Sequence, residues 1–195
     1  MSLRIVAPRG RFGEGPESNP PLAPGSDTPC LEGRELAALL ETPARRIEGW
    51  VDRGLLKPER SGRRQGRRRA FSIVNLVQGA LLIELQRAFG ERNPYLKTYL
   101  AIASMFVHDL SAHLMSGDVV RELTFGIAIR GDHNVSFTYG IAPLGENTTA
   151  QIMEWIDRQL KEGATVSVFY LRPRMEAIRE RLGRLERRLT GAAEG

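Results

Sequence analysis

The chain has 195 residues and a net charge of +5, and 42% of its residues are hydrophobic. This length allows one domain of ordinary size or two small ones, with enough apolar material for a core. The single cysteine, Cys30, excludes an intrachain disulfide framework. No apolar run approaches the roughly 20 residues of a membrane span, and no signal core stands at the N-terminus. We therefore expect a cytoplasmic protein.

The positive charge is concentrated in one stretch. Residues 42–71 hold ten Lys or Arg and three Asp or Glu, so their net charge is +7 and that of the remainder is −2. Six arginines fall within residues 60–69, which we call the basic segment. These side chains repel one another unless a polyanion neutralises them, and DNA phosphates match the guanidinium fork. The alternative is a solvated, disordered loop. The position of the segment directly after a predicted helix-turn-helix disfavours that alternative.

The chain begins with a segment that is rich in Pro, Gly and Ser. Residues 1–30 are predicted to be a flexible tail, because this composition buries too little apolar surface to offset the entropy of ordering. Two short helices follow at once, over residues 32–41 and 43–53, with Thr42 as the predicted N-cap and Gly54 as the stop. Such a pair predicts a helix-turn-helix. The apolar sides of the two helices carry Leu36, Leu39, Leu40, Ile47, Trp50 and Val51.

A recognisable order of residues runs from the second helix to the end of the basic segment. It consists of Trp50, Gly54, Leu55, Leu56, Pro58, Arg60, Arg69 and Phe71. This order resembles the winged helix-turn-helix of the MerR family of transcription regulators. Upstream, Glu35-Leu36-Ala37 is similar to the first helix of the family, and downstream Ser72 and Leu76 are similar to the helix after its wing. The likeness covers residues 31–90.

The resemblance implies that the second helix enters the major groove of double-stranded DNA. The basic segment would then hold the phosphate backbone or the adjacent minor groove. Glu48 and Gly49 depart from the family, which usually has arginine and an aromatic residue there, so contacts through those side chains do not transfer. Glu48 could accept from a cytosine amine, although a local salt bridge with Arg45 or Arg53 is favoured. The predicted DNA-binding residues are Arg45, Arg46, Arg53, Lys57, Arg60, Arg63, Arg64, Arg67, Arg68 and Arg69.

The rest of the chain predicts four more helices, a β-hairpin and a further strand. A third helix is expected over 72–89, capped by Ser72 and stopped by Gly90, and a fourth over 93–117. Period-two alternation then predicts a β-hairpin over 123–141 with one buried face. A helix with a Thr148–Gln151 capping box, a strand over 165–171 and a last helix from Pro173 follow. The fold class is α+β: an N-terminal winged helix-turn-helix (31–90), then a small α+β domain (91–195) with the hairpin, a third strand and heptad-patterned helices.

Heptad spacing in the fourth and last helices predicts a homodimer. The alternative is that each helix packs on its own domain. A dimer would let a DNA reader engage two half-sites, and MerR-like proteins pair through a helix at the place of the fourth one. The predicted dimer contacts are Leu96, Leu100, Val107, Leu110, Leu114, Leu182 and Leu185.

These patterns predict a dimeric, MerR-like, sequence-specific regulator of transcription, with RNA polymerase and a small-molecule effector as candidate partners. An architectural DNA-binding protein of excisionase or partition type, and an interaction module whose basic loop binds an acidic partner, remain alternatives. We expect no enzyme and no cofactor, because the sequence has no phosphate-cradling glycine motif, nucleophile elbow or clustered acid–base set. We expect no metal site, because Cys30 lies in the tail and the three histidines, His108, His113 and His133, lack ligand spacing.

Overall fold

The computed structural model describes residues 31–59, 69–116, 120–130, 134–143 and 149–191. The predicted tail, residues 60–68 of the basic segment, the predicted hairpin turn and Thr148 of the predicted capping box all lie outside these residues. The described chain forms two compact units. We call them the helical unit, which holds 31–116 and the chain from Pro173 onward, and the sheet unit, which holds 120–172.

The helical unit begins with a two-stranded ribbon and two short helices. Its elements before α3 are β1 (Leu31–Glu32), α1 (Gly33–Leu39), α2 (Ala44–Asp52) and β2 (Ala70–Phe71), and β1 pairs antiparallel with β2. The predicted cap of α2 is wrong. Pro43 is the N-cap and makes no side-chain hydrogen bond, while the Thr42 hydroxyl is buried with no hydrogen-bond partner. The fixed φ of Pro43 therefore sets the extended backbone that precedes α2, and no side-chain oxygen caps the helix.

The centre of the helical unit is α3 (Ile73–Phe89), which forms where the sequence predicts it. The Ser72 hydroxyl accepts from the Asn75 amide at the start, and Gly90 ends the helix with a φ of 87°. Leucines and small residues are buried around most of its circumference, so neighbours cover it on several sides. The core side chains of α3 are Leu76, Val77, Ala80, Leu81, Leu82 and Leu85.

The predicted fourth helix is two helices in the structure, α4 (Leu96–Ile102) and α5 (Ser104–Ser116). They meet at Ala103, which is fully buried and has a ψ of 2°. The heptad count assumed one straight axis, and a turn at a small buried residue leaves such a count unchanged. Burial raises the pKa of the Tyr99 hydroxyl, and the neighbouring Tyr95 adds to that rise.

The last helix, α7 (Arg172–Gly191), packs through its arginines on the first helices of the helical unit. Arg174 contacts Glu84 of α3 at 2.5 Å, and Arg181 donates to the Leu39 carbonyl of α1 at 2.8 Å and pairs with Glu41. The structure thus groups this helix and residues 91–116 with the winged region, whereas the sequence analysis placed both in a second domain.

The sheet unit holds β3 (Val120–Arg130), β4 (Asn134–Pro143), α6 (Thr149–Lys161) and β5 (Thr165–Tyr170). The three strands are antiparallel in the order β4-β3-β5, with Phe125 opposite Tyr139 and Phe169. The predicted hairpin and third strand are confirmed. The prediction of one buried face is wrong, because Trp155 of α6 packs over Gly126, where an added Cβ would lie 3.0 Å from its ring.

The sequence predicts an apolar stripe of Ile152, Trp155, Ile156 and Leu160 on α6, and one of these positions differs in the structure. Leu160 is 55% exposed, and Gln159 is buried in its place. The Gln159 side-chain oxygen Oε1 accepts from Arg130 of β3 at 2.7 Å and from Ser136 of β4 at 2.9 Å. Two strands therefore satisfy this buried polar group. None of the helices in the described part of the chain is long and apolar enough to cross a membrane.

Candidate nucleic-acid interface

The helix α2 is anchored to the core by one face. Ile47 and Trp50 are buried, and the Trp50 indole nitrogen donates to the Gln86 side chain of α3 at 3.3 Å. Gly79 of α3 makes room for Leu40, because a Cβ there would lie 2.6 Å from the Leu40 side chain; the same Cβ would be at an ordinary contact distance, 3.6 Å, from the Trp50 ring. The interpretation of Trp50 and Phe71 as core residues is confirmed by their burial. The opposite face of α2 is left toward solvent.

A tight turn ends α2 and directs the chain into the basic segment. The Leu55 amide donates to the Trp50 carbonyl at 2.8 Å, and the Gly54 amide donates to the Val51 carbonyl at 3.0 Å. With Gly54 at a φ of 67°, this is a Schellman motif, in which a left-handed residue satisfies the last carbonyls of a helix. The predicted stop at Gly54 is therefore confirmed. Leu55 and Leu56 follow as buried residues that hold the turn against the core.

The two ends of the basic segment are fastened together. The Glu59 amide donates to the Ala70 carbonyl at 3.0 Å, and the Ser72 hydroxyl donates to the Glu59 carboxylate at 3.1 Å. Asn75 completes the fastening by donating to the Lys57 carbonyl at 3.1 Å. The cap of α3 and the base of the wing thus share the same two side chains, Ser72 and Asn75. The Ser72 cap was predicted from the sequence, but the contacts of Ser72 with Glu59 and of Asn75 with Lys57 were not.

Replacing Asn75 with alanine is expected to lower the free energy of unfolding by about 1–3 kcal/mol. The change removes an N-terminal capping partner and leaves the part-buried Lys57 carbonyl without its donor. Urea denaturation followed by circular dichroism measures the effect. Gln78→Ala, at a half-buried position of the same helix, is the control and should shift stability by less than about 0.5 kcal/mol. Equal losses in the two variants would contradict the double role of Asn75.

The solvent-facing side of α2 is polar and open. Arg45, Glu48 and Asp52 are exposed, and a Cβ added to Gly49 would meet nothing within 4 Å. The helix Ala44–Asp52 carries two arginines and two acids, so it has no net charge. In the sequence, the positive charge of residues 42–71 is concentrated in the basic segment.

Two of the predicted DNA contacts are engaged within the chain. Arg46 pairs with Glu91 and lies over the Trp50 ring, with 5.8 Å from its guanidinium carbon to the ring centroid. Arg53 donates to the Glu91 carbonyl at 2.9 Å and to the Gly49 carbonyl at 3.1 Å. Both arginines therefore hold α2 against the turn that follows α3. The predicted salt bridge between Glu48 and Arg53 is not formed among the described residues, because Arg53 makes these contacts instead.

The end of the basic segment lies beside α2. The Arg69 guanidinium is 3.6 Å from the Asp52 carboxylate in the last turn of that helix. Lys57, just before the segment, is exposed. The other predicted DNA contacts lie outside the described residues: Arg60, Arg63, Arg64, Arg67 and Arg68. The described geometry is thus an exposed helix face with Arg69, the end of the basic segment, beside its last turn, as in a winged helix-turn-helix.

A comparison with protein families decides between this and other helix-turn-helix types. The model of the family described as "MerR HTH family regulatory protein" matches residues 32–99. Residues 32–99 are a MerR helix-turn-helix domain. The resemblance seen in the sequence is confirmed, and so is the α+β fold class with its N-terminal domain of this type. No curated protein was found to match the chain.

The MerR domain includes features that sequence reasoning did not assign. Glu91, which receives both Arg46 and Arg53, and Glu59, which ties the wing base, are surface acids without a local pattern. Asn75 was visible in principle, because it stands three residues after Ser72 as the second member of a capping box. The chain departs from the family pattern at Glu48 and Gly49, and both positions fall on the solvent-facing side of α2.

The predicted dimer contacts of α4 and α5 are buried within the single chain. Their exposed fractions are 8% or less, and α4 and α5 both contact α3. The alternative that these helices pack on their own domain therefore accounts for the heptad pattern, and little of these side chains is left for a partner. They are Leu96, Leu100, Val107, Leu110 and Leu114. Leu182 and Leu185 of α7 are half-buried.

The structure forms no metal-binding cluster within the described residues, because no three histidine, cysteine or acidic side chains lie close enough together to hold a metal ion. Cys30 and His133 lie outside these residues. His108 of α5 has a buried Nδ1 without a hydrogen-bond partner, but no carboxylate or thiol joins it in such a group.

Proposed function

We propose that this protein is a transcription regulator that binds a specific double-stranded DNA site through its MerR domain and acts as a homodimer in the cytoplasm. The observation that carries the proposal is the position of Arg69 beside Asp52, because it puts the end of the basic segment next to the open face of α2. A duplex that receives this face in its major groove would meet the basic segment at the flanking backbone. The family's description as regulatory proteins supports the role in transcription.

Affinity and sequence selection are divided between the two parts. Because α2 has no net charge, it adds little to the attraction of phosphates, and the arginines of the basic segment supply most of it. Arg45 is the exposed arginine of α2 that can reach a guanine edge, a contact that discriminates by about 1–3 kcal/mol. Arg46 and Arg53 would support the helix from within the chain.

Footprinting across genomic DNA tests the proposed role. One strong, pseudo-palindromic site within a promoter spacer is the expected result, and it would also support RNA polymerase as a further partner. An array of adjacent sites would instead support an architectural DNA-binding protein. No protected site at moderate salt concentration would contradict DNA recognition and leave an acidic protein as the partner of the basic segment.

Gly49 provides a prediction with opposite effects on stability and binding. Gly49→Ala should raise the free energy of unfolding by up to about 1 kcal/mol, because the Cβ is accommodated and alanine favours a helix. The same methyl group should lower DNA affinity, because Gly49 lies on the proposed groove-facing side and allows close backbone approach. Denaturation and DNA-binding titrations measure the two effects. Ala44→Gly, at the exposed first residue of α2, is the control, and stronger or unchanged DNA binding by Gly49→Ala would contradict the proposed orientation.

A further inference from the structure

The sheet unit exposes a cluster of large apolar side chains. Among the described residues five large hydrophobic side chains are more than a third exposed, and four of them belong to this unit. Their exposed fractions are 58% for Met153, 55% for Leu160, 45% for Val168 and 56% for Tyr170. The fifth, Tyr95, belongs to the helical unit. Apolar side chains gathered in this way mark an interaction site more often than single exposed ones do.

The four side chains lie along the boundary between α6 and β5. Met153, Ile156 and Leu160 follow one another at three- and four-residue spacing on α6, so they share a flank of that helix. Ile156 packs against the same buried cluster as Val166 of β5, so this flank borders β5. Val168 and Tyr170 point to the same face of the sheet as Val166, because side chains alternate along a strand. We call these six residues the apolar strip.

The strand β5 has an unpaired edge next to the apolar strip. It is the last strand of the order β4-β3-β5, and in the described chain it pairs with β3 alone. The Leu171 amide donates to the Leu123 carbonyl at 2.8 Å, which fixes the ladder so that alternate residues bond to β3. The backbone groups of Val166, Val168 and Tyr170 therefore point away from β3.

Within the part of the chain that the structure describes, this edge has none of the usual protections. Thr165–Tyr170 contains no proline and no charged residue, although natural edge strands are commonly blocked by lysine, proline or a bulge. An uncharged, regular edge with apolar neighbours is suited to another uncharged strand. A second copy of β5 meets this requirement, since it is antiparallel to itself about a two-fold axis and brings no like charge.

We infer that two copies of this chain dimerise by pairing their β5 strands into a continuous six-stranded antiparallel sheet. The outward-pointing residues set the register: Val168 lies opposite its own copy on the two-fold axis, and Val166 of one copy lies opposite Tyr170 of the other. The apolar strips of the two copies meet on one side of the sheet, where each covers the other. The inference rests on the dimer of the proposed function and is independent of its DNA contacts.

Sedimentation velocity on the full chain tests this interface. The wild-type chain is expected to be a dimer at micromolar concentration, and Val168→Lys should raise the dimer Kd at least about tenfold, because like charges then face each other across the strands. Leu160→Lys, on the exposed flank of α6, should act in the same direction without touching the strand. Tyr95→Lys is the control, because it removes the exposed aromatic side chain that lies outside the sheet unit, and it should leave the dimer unchanged.

Cross-linking tests the register in a Cys30→Ser background. Val168→Cys should form an interchain disulfide under mild oxidation, because directly opposed residues have Cα atoms within bonding reach. Thr165→Cys on the same strand should remain reduced. A monomeric wild-type chain, a Val168→Lys dimer as tight as wild type, or a cross-link at residue 165 in place of 168 would overturn the interface. A monomer that still protects a DNA site would leave DNA recognition standing, and a dimer that binds no duplex would do the reverse.

Discussion

Removing four arginines from the basic segment is expected to weaken DNA binding by roughly 100-fold or more at fixed salt concentration. The four are Arg63, Arg64, Arg67 and Arg68. Each phosphate contact that is lost also lowers the slope of log affinity against log salt by about 0.9, so the salt dependence should become markedly shallower. Because phosphates carry no sequence information, the loss should be similar for the specific site and for unrelated duplexes. Fluorescence anisotropy over a series of salt concentrations measures both quantities.

A control of equal charge separates a local contact from the loss of net charge. Four exposed basic residues outside the basic segment can be changed to alanine together: Arg92, Arg158, Lys161 and Arg184. These side chains are on the surface, and their ion pairs contribute little to stability. The control should keep its affinity within a few-fold of wild type. If both quadruple variants lose affinity equally, the basic segment is not the DNA-binding element.

Replacing Trp50 with alanine is expected to lower the free energy of unfolding by about 3–5 kcal/mol. The side chain is fully buried, its indole nitrogen donates to Gln86, and its ring lies next to Gly79 of α3. A loss of this size is a large part of the stability of an ordinary domain, so the MerR region should be unfolded or nearly so at 37 °C. Urea denaturation followed by circular dichroism measures the change.

Two further variants show whether this loss comes from the core. Trp50→Phe keeps most of the buried ring and should cost clearly less than the alanine variant, while Glu154→Ala at an exposed position should cost less than about 0.5 kcal/mol. Trp155, the second tryptophan, lies in the sheet unit and reports on that unit by fluorescence in the Trp50→Ala variant. A loss below about 1 kcal/mol for Trp50→Ala would contradict its role as the anchor of α2.

Local signals in the sequence predicted the elements that depend on local interactions. Ser72 and Gly90 mark the two ends of α3 by capping and by a left-handed residue, and both act within one turn of the helix. Strict alternation predicted the hairpin, because one face of each strand is lined by large apolar residues. The turn after α2 was equally local, since the Gly54 and Leu55 amides donate to the carbonyls of Val51 and Trp50, only three and five residues earlier.

Contacts between distant residues decided what the sequence could not show. Arg46 appeared to be a free DNA contact, but it is paired with Glu91, 45 residues away. Leu160 continues the apolar spacing of α6 and would be expected in the core, yet Gln159 is buried with two strands as its partners and Leu160 is exposed. The heptad leucines seemed to need a second chain, whereas α3 already provides the neighbouring surface. Periodicity identifies an apolar side, but it does not identify which element covers that side.

The direct test of the central claim is to locate α2 on bound DNA. An iron–EDTA cleavage reagent can be attached to Ala44→Cys in a Cys30→Ser background, at an exposed position that begins α2 and is not a proposed contact. The proposed geometry predicts strand cleavage confined to a few base pairs of the major groove inside the protected site. A reagent attached to Glu154→Cys on α6 gives the reference pattern. Cleavage from residue 44 that is no stronger or more localised than that from residue 154 would contradict recognition of DNA by α2.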